Sequence, residues 1–112
     1  MKGINKVILV GHLGQDPFFR QLDGGVSVAS FPLATSENKS NEVETEWHNV
    51  IMWRGLADVA VKMLQQGKLV YIEGKLRKRN YTDSMGNKKQ ITEVLAESFT
   101  LLGRSADFNT VK

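Results

Sequence analysis

LVYIEGKLRKRNYTDSMGNKKQITEVL, residues 69–95, is the stretch that decides the fold, and it reads as one long basic hairpin. Leu69, Tyr71, Glu73, Lys75, Arg77, Arg79 and Tyr81 alternate with Val70, Ile72, Gly74, Leu76, Lys78 and Asn80, which is the two-residue period of a strand. Asp83-Ser84-Met85-Gly86-Asn87 then supplies a turn in which Gly and Asn tolerate positive φ, and a second alternating run goes from Lys88 to Leu95. The first arm opens on an apolar row, Val70, Ile72 and Leu76. It ends in Lys75, Arg77, Lys78 and Arg79 beside Tyr81, so its far half has little to bury. The pattern predicts a strand pair that projects from the body into water.

On that arm Arg77, Arg79 and Tyr81 share a face. Guanidinium groups contact phosphate and a flat ring stacks a base, and a base offers its faces freely only outside a duplex. The same residues also suit a solvated hairpin whose charges merely keep an edge strand from aggregating. From this stretch alone both readings stand.

The remaining composition narrows the choice. A chain of 112 residues supports a single core, and its formal charge is +3 with a pI near 9.3. The surplus is lopsided: residues 1–56 hold five Lys or Arg against six Asp or Glu, and residues 57–112 hold ten against six. A basic half is what a face meeting a polyanion requires. The absence of cysteine excludes disulfides, thiolate nucleophiles and Cys-based metal sites, and points to a reducing cytoplasm. The longest apolar run, Val7 to Val10, is too short to span a bilayer, so no membrane role is expected.

In chain order, Ile4 to Gly11 reads as a first strand, buried on both faces or paired on both edges. Gly11, His12, Leu13 and Gly14 break it, and Asp16-Pro17 turns the chain ahead of Phe18 and Phe19. Asp23-Gly24-Gly25 signals a hairpin, after which Val26 to Ala34 alternates; Pro32, lacking an amide hydrogen, belongs at an edge, bulge or bend. From Ser36 to Glu46 the composition is polar and predicts a mobile loop. Thr45 to Arg54 alternates again, with Trp47, Asn49, Ile51 and Trp53 on one face and His48, Val50, Met52 and Arg54 on the other. The two tryptophans are either core rings or an exposed stacking face, since Val50 and Met52 can serve the core instead. Leu56 to Gln66 is the helix, with a stripe of Leu56, Val59, Ala60, Met63 and Leu64 and with Gly67 as its cap. Thr92 to Leu102 supplies the last strand. The order, three strands, one short helix and two strands, predicts an all-β, five-stranded Greek-key barrel of the OB type with the helix between strands 3 and 4. The expected domain is 1–103, followed by a flexible remnant at 104–112.

Several motifs together resemble a known family. They are Asn5, Leu9, Gly11, Leu13, Gly14, Asp16 and Pro17; Leu33-Ala34-Thr35-Ser36; Thr45-Glu46-Trp47-His48; and Val70-Tyr71-Ile72-Glu73-Gly74 with Leu76-Arg77. In order and spacing, from about Gly3 to Leu102, they look like the bacterial single-stranded DNA-binding proteins. The resemblance implies an OB-fold that assembles as a homo-oligomer, usually a tetramer, and wraps unpaired DNA without reading its sequence, in the bacterial cytoplasm at the nucleoid. No cofactor is implied. Carried over by position, Trp47 is the stacking tryptophan, Trp53 stands where an aromatic is common, and Tyr81 is the aromatic of the long hairpin. His48 falls near the subunit contact, or is a histidine hydrogen-bonded within one subunit. Val7 and Leu9 on the first strand complete the expected interface.

The expected phosphate contacts are Lys75, Arg77, Arg79, Lys88 and Lys89 on the hairpin, with Lys62, Lys68 and Lys39 elsewhere. Lys39 stands where relatives often place another tryptophan, a departure that trades stacking for charge and predicts greater salt sensitivity. At the end of the chain Asp107-Phe108-Asn109 leads to Thr110-Val111-Lys112 with no acidic cluster, so recruitment of other proteins through an acidic tip is not expected. The alternative is a tail-less OB-fold adapter of replication restart, acting mainly through protein contacts. An enzyme is not expected: His12, His48, Asp16 and Glu46 show no ligand or dyad spacing, and no Gly-rich phosphate loop precedes a helix.

Overall fold

The structure, a computed structural model, describes residues 2–104. The elements are β1 (Val7–Leu13), β2 (Phe18–Leu22), a 3-10 turn (Asp23–Gly25), β3 (Val26–Lys39), β4 (Glu42–Trp53), α1 (Gly55–Met63), β5 (Lys68–Thr82) and β6 (Lys88–Arg104). The sheet order is β1-β5-β6-β4-β3-β2, and a further β1–β3 pairing closes the first five of these into a barrel. Closure on one side is a short parallel contact, Val50 with Val94 and Ile51 with Leu95.

The expected five strands become six because the first is interrupted. β2 pairs with Val26–Ser30 of β3, and β1 meets the same edge of β3 further along, at Leu33 and Ala34. Between them the chain loops over Pro32, whose carbonyl accepts the Gly14 amide at 2.9 Å. Pro32 therefore sits within β3 where its missing N–H faces a gap in the pairing, locally an edge, one of its expected places.

The core lies inside the barrel: Leu13, Phe31, Leu33, Val50, Met52, Val70, Ile72 and Val94 are all buried. Burying each large side chain contributes about 1.5–3 kcal/mol, far more than an exposed polar strand pair yields, so the barrel anchors the arms that leave it. The helix caps one end with small residues, Ala57 and Ala60, against the strands. Here the expected stripe changes. The helix ends at Met63, Leu64 turns extended and is buried, and Val59 and Met63 are exposed. Gly67 takes φ +87° beyond the helix and donates its amide to the Leu13 carbonyl at 2.8 Å.

Two further expectations are corrected. Residues 36–46 are not a loop: β3 and β4 stay paired from Val28 with Trp53 out to Lys39 with Glu42, and Ser40 and Asn41, both at positive φ, form the turn. Nor is the first strand buried on both faces. Val7 and Leu9 pack on the core, whereas Ile8 and Val10 are 57% and 48% exposed. Of the remnant expected at 104–112, Arg104 instead ends β6, and residues 105–112, including Asp107-Phe108-Asn109, lie outside the described residues.

Candidate nucleic-acid interface

The alternation of β4 sets Trp47, Asn49, Ile51 and Trp53 on the outer face of the barrel while Val50 and Met52 are buried. Register carries that face sideways. Trp53 stands opposite Val28, which stands opposite Arg20, and Ile51 stands opposite Ser30, which stands opposite Phe18. On the other side Ile51 neighbours Leu95 of β6, and β6 pairs Glu93 with Arg77, Ile91 with Arg79 and Lys89 with Tyr81 of β5. One continuous surface thus runs from β2 to the tip of the β5–β6 hairpin. Its centre is a groove lined by Arg20, Val28, Ile51, Trp53, Arg77, Arg79 and Glu93.

The aromatics differ in how they are held. Trp47 is 60% exposed, and its indole lies against Gly14, where a β-carbon would sit 2.5 Å from Cζ3 and 2.9 Å from Cη2. Only a glycine at 14 leaves room for the benzo end of the ring, most of which is open to solvent. Trp53 is half-buried in the groove wall. Tyr81 is 40% exposed on the hairpin, with the Arg79 guanidinium 5.9 Å from its ring centroid. Neither indole is sealed inside the barrel, which decides between the two sequence readings in favour of an open face.

The cations divide as well. Lys75, Arg77, Lys88 and Lys89 are exposed along the hairpin, with Lys89 3.8 Å from Asp83. Arg79 is engaged: Nε and Nη2 donate to the two carboxylate oxygens of Glu93 at 3.2 and 3.1 Å. Glu93 is only 7% exposed, and this hydrogen-bonded partner raises the pKa of Arg79 above its ordinary value. Arg79 is therefore locked in orientation, and much of its charge is answered before any phosphate arrives. Lys39 is drawn between Glu37 and Glu44, 3.6 Å from each. Lys62 lies on α1, and Lys68 begins β5, about 30 Å of strand from Arg77. Counting charge along a sequence does not separate these two lysines from the hairpin; only the topology does.

The expected interface residues also part company. His48 Nε2 is hydrogen-bonded with Thr35 Oγ1 at 2.8 Å within this chain, and Val7 and Leu9 face inward as described. On the outer side of β1 and β5, Glu73 accepts from Lys6 Nζ at 2.8 Å and from the Tyr71 hydroxyl at 2.6 Å. The hydrogen bond from Lys6, then that from Tyr71, lowers the Glu73 pKa; the same contacts raise those of Lys6 and Tyr71.

Phe18 and Arg20 were not singled out as site residues by the sequence, yet both lie on the surface described, with the Arg20 guanidinium 5.8 Å from the Phe18 ring. The signal was the Phe18-Phe19 pair, of which strand alternation lets only one enter the core. Asp16 Oδ1 accepts the Gln66 amide at 2.8 Å, His48 is engaged with Thr35, and among the described residues no three His, Cys, Asp or Glu are grouped to hold a metal. Among the described residues no helix is long and apolar enough to cross a membrane.

Residues 4–102 match the single-strand binding protein family. The chain is 38% identical over 117 residues to single-stranded DNA-binding protein 1 of Xylella fastidiosa, covering 99% of this chain and 86% of that one. It is 43% identical over 108 residues to single-stranded DNA-binding protein 1 of Chlorobaculum tepidum, covering 91% and 67%. Its fold superposes on a chain of the Plasmodium falciparum SSB complex with ssDNA with a TM-score of 0.81 and 33% identity, over 91% of this chain and 97% of that one.

Proposed function

The chain belongs to the single-strand binding protein family, and on that premise we propose that its cationic, aromatic face binds single-stranded DNA without sequence preference and protects it during replication, recombination and repair. One observation carries the reading: Trp53, Arg20, Arg77 and Arg79 line a common groove, while Trp47 stays open on the same strand face. Successive bases stack on Trp47, Trp53 and Tyr81, and Lys75, Arg77, Lys88 and Lys89 follow the phosphates. Arg79, fixed by Glu93, orients the surface beside Tyr81 more than it supplies free charge. Stacking grips any base, because every base has a π-face, and paired bases keep those faces inside the duplex. The role is binding rather than catalysis, and its place is the bacterial cytoplasm, at the nucleoid.

Each base–aromatic stack contributes about 1–3 kcal/mol by alanine substitution. Trp47→Ala should therefore weaken oligothymidine binding roughly five- to 150-fold, read by fluorescence quenching of the remaining Trp53. Equal affinity for the variant and the parent, or equal affinity of the parent for duplex and single strand, would sink the reading.

The chain also assembles with copies of itself, as a tetramer. Support comes from Ile8 and Val10, which point outward on a strand whose described pairings at Val7–Gly11 lie on the β5 side alone. An open strand edge beside exposed apolar side chains is a template for pairing with another chain. Sedimentation at micromolar concentration should show a species well above the 12.5 kDa protomer; a protomer alone would remove this part of the proposal.

A further inference from the structure

We infer that Phe18, on the barrel's extra strand β2, is a fourth stacking platform that carries the single strand past Trp53 and across β3, with Arg20 at the junction. The inference rests on the reading of this face as the path of single-stranded DNA and extends that path to a strand outside the closed barrel.

Strand alternation splits the neighbouring phenylalanines: Phe19 turns inward and packs on the core, while Phe18 remains 63% exposed. Leaving a phenyl ring in water forgoes burial that is ordinarily favourable, and the fold gains nothing visible from it. Its location is specific. Register aligns Phe18 with Ser30 and Ile51, one pair of residues along from the row of Arg20, Val28 and Trp53. Two strand spacings and a two-residue offset put Phe18 about 12 Å from Trp53, measured between backbones, a gap that a few nucleotides span.

Arg20 joins the two rings. It lines the groove with Trp53 and Arg77, and its guanidinium lies 5.8 Å from the Phe18 centroid. A cation at that distance is within the attraction of the ring's π-face and helps to orient it. The charge of Arg20 suits a phosphate between a base stacked on Trp53 and a base stacked on Phe18. Charge complementarity and continuity with the groove thus point to nucleic acid as the occupant. An apolar partner surface would instead have to desolvate Arg20.

The test compares Phe18→Ala and Phe18→Trp with the parent on oligothymidine. Phe18→Ala should bind roughly five- to 150-fold more weakly, the span of one lost stack, with an unchanged unfolding temperature because the ring is exposed. Phe18→Trp should retain parental affinity and add a tryptophan signal quenched by DNA. Parental affinity for Phe18→Ala, with Trp47→Ala weakened, overturns the inference and leaves the wider reading standing. If Trp47→Ala also binds like the parent, it is the wider reading that has failed. A change in sedimentation of Phe18→Ala without a loss of affinity per protomer assigns the ring to a contact between copies and likewise overturns the inference.

Discussion

Between Ser36 and Glu46 the β3–β4 hairpin carries Glu37, Glu42, Glu44 and Glu46 against Lys39, whereas between Lys75 and Lys89 the β5–β6 hairpin carries Lys75, Arg77, Lys78, Arg79, Lys88 and Lys89 against Asp83. The two are alike in build. Each extends a barrel strand pair beyond the core and is exposed along most of its length, the first ending in a two-residue turn and the second in a five-residue one. Each also borders a glycine pressed on its neighbour: a β-carbon on Gly74 would strike the Leu95 carbonyl, and one on Gly11 would strike the Ala34 carbonyl. The two arms thus share a paired, exposed build, and what separates them most is charge. The acidic arm absorbs its one lysine, while the basic arm leaves most of its cations to solvent. A polyanion is drawn to one and repelled by the other, which on the proposed reading favours the basic arm as the strand's path.

The sharpest way to break this contrast is to discharge the basic arm. Each phosphate neutralised on a single strand contributes a salt slope of roughly −0.7, so Arg77→Ala, Lys88→Ala and Lys89→Ala together should flatten the slope by about 2. That amounts to about a hundredfold in oligothymidine affinity at 0.1 M salt relative to 1 M. Lys39→Ala, on the acidic arm, should leave the slope unchanged. Equal slopes for the two variants would mean that the hairpins do not differ in their dealings with phosphate.

The shared geometry makes a second test. Gly74 lies at a register shift between β5 and β6, where β5 leaves the core, and its α-carbon must approach the β6 backbone. Gly74→Ala forces those strands apart and should destabilise the fold by about 1–3 kcal/mol, the range for overpacking a tight site. Urea unfolding reads it. A midpoint like that of the parent would show that the root of the arm yields without cost.

These two arms also mark what was legible in the sequence. The basic hairpin was readable because apolar alternation at Val70 and Ile72 leads into it and a Gly-containing turn ends it. The acidic arm is paired just as fully, yet it buries nothing beyond Thr35, so no hydrophobic period announces it; main-chain pairing alone holds it extended. The same limit explains β1. Four apolar residues in a row, Val7 to Val10, do not reveal which parity faces inward, and the structure packs Val7 and Leu9, half-buried, on the core while exposing Ile8 and Val10. Trp47 and Trp53 were placed on one face by alternation, but their openness depends on Gly14 and on strands distant in sequence. Lys62 and Lys68 stood as candidates beside the hairpin cations, and Lys39 as a charge in a tryptophan's place, because charge in a sequence carries no address. Glu93, which engages Arg79, was invisible for the same reason.

The smallest effect tests how the arms are tied to the barrel. The acidic arm is rooted by hydroxyl contacts, Thr35 Oγ1 with His48 Nε2 at 2.8 Å and Ser36 Oγ with Thr45 Oγ1 at 3.1 Å. The basic arm is rooted by an ion pair, Glu73 with Lys6, reinforced by the Tyr71 hydroxyl. Because its folded-state pKa lies below the ordinary 4.5, Glu73 contributes stability above pH 4.5 and loses it as pH falls through the lowered value. Lys6 and Tyr71 have raised pKa values, so their share is present below their ordinary values of 10.5 and 10.0 and disappears as pH climbs past the raised ones. Between those limits Glu73→Gln should unfold at slightly lower urea than the parent, by a modest margin because exposed ion pairs are well screened. The gap should narrow below pH 4.5, where the parental carboxylate takes up its proton, and again at the alkaline limit. A gap that stays constant from pH 7 to pH 3 would show that the charge of Glu73 does not help to hold the basic arm to the barrel.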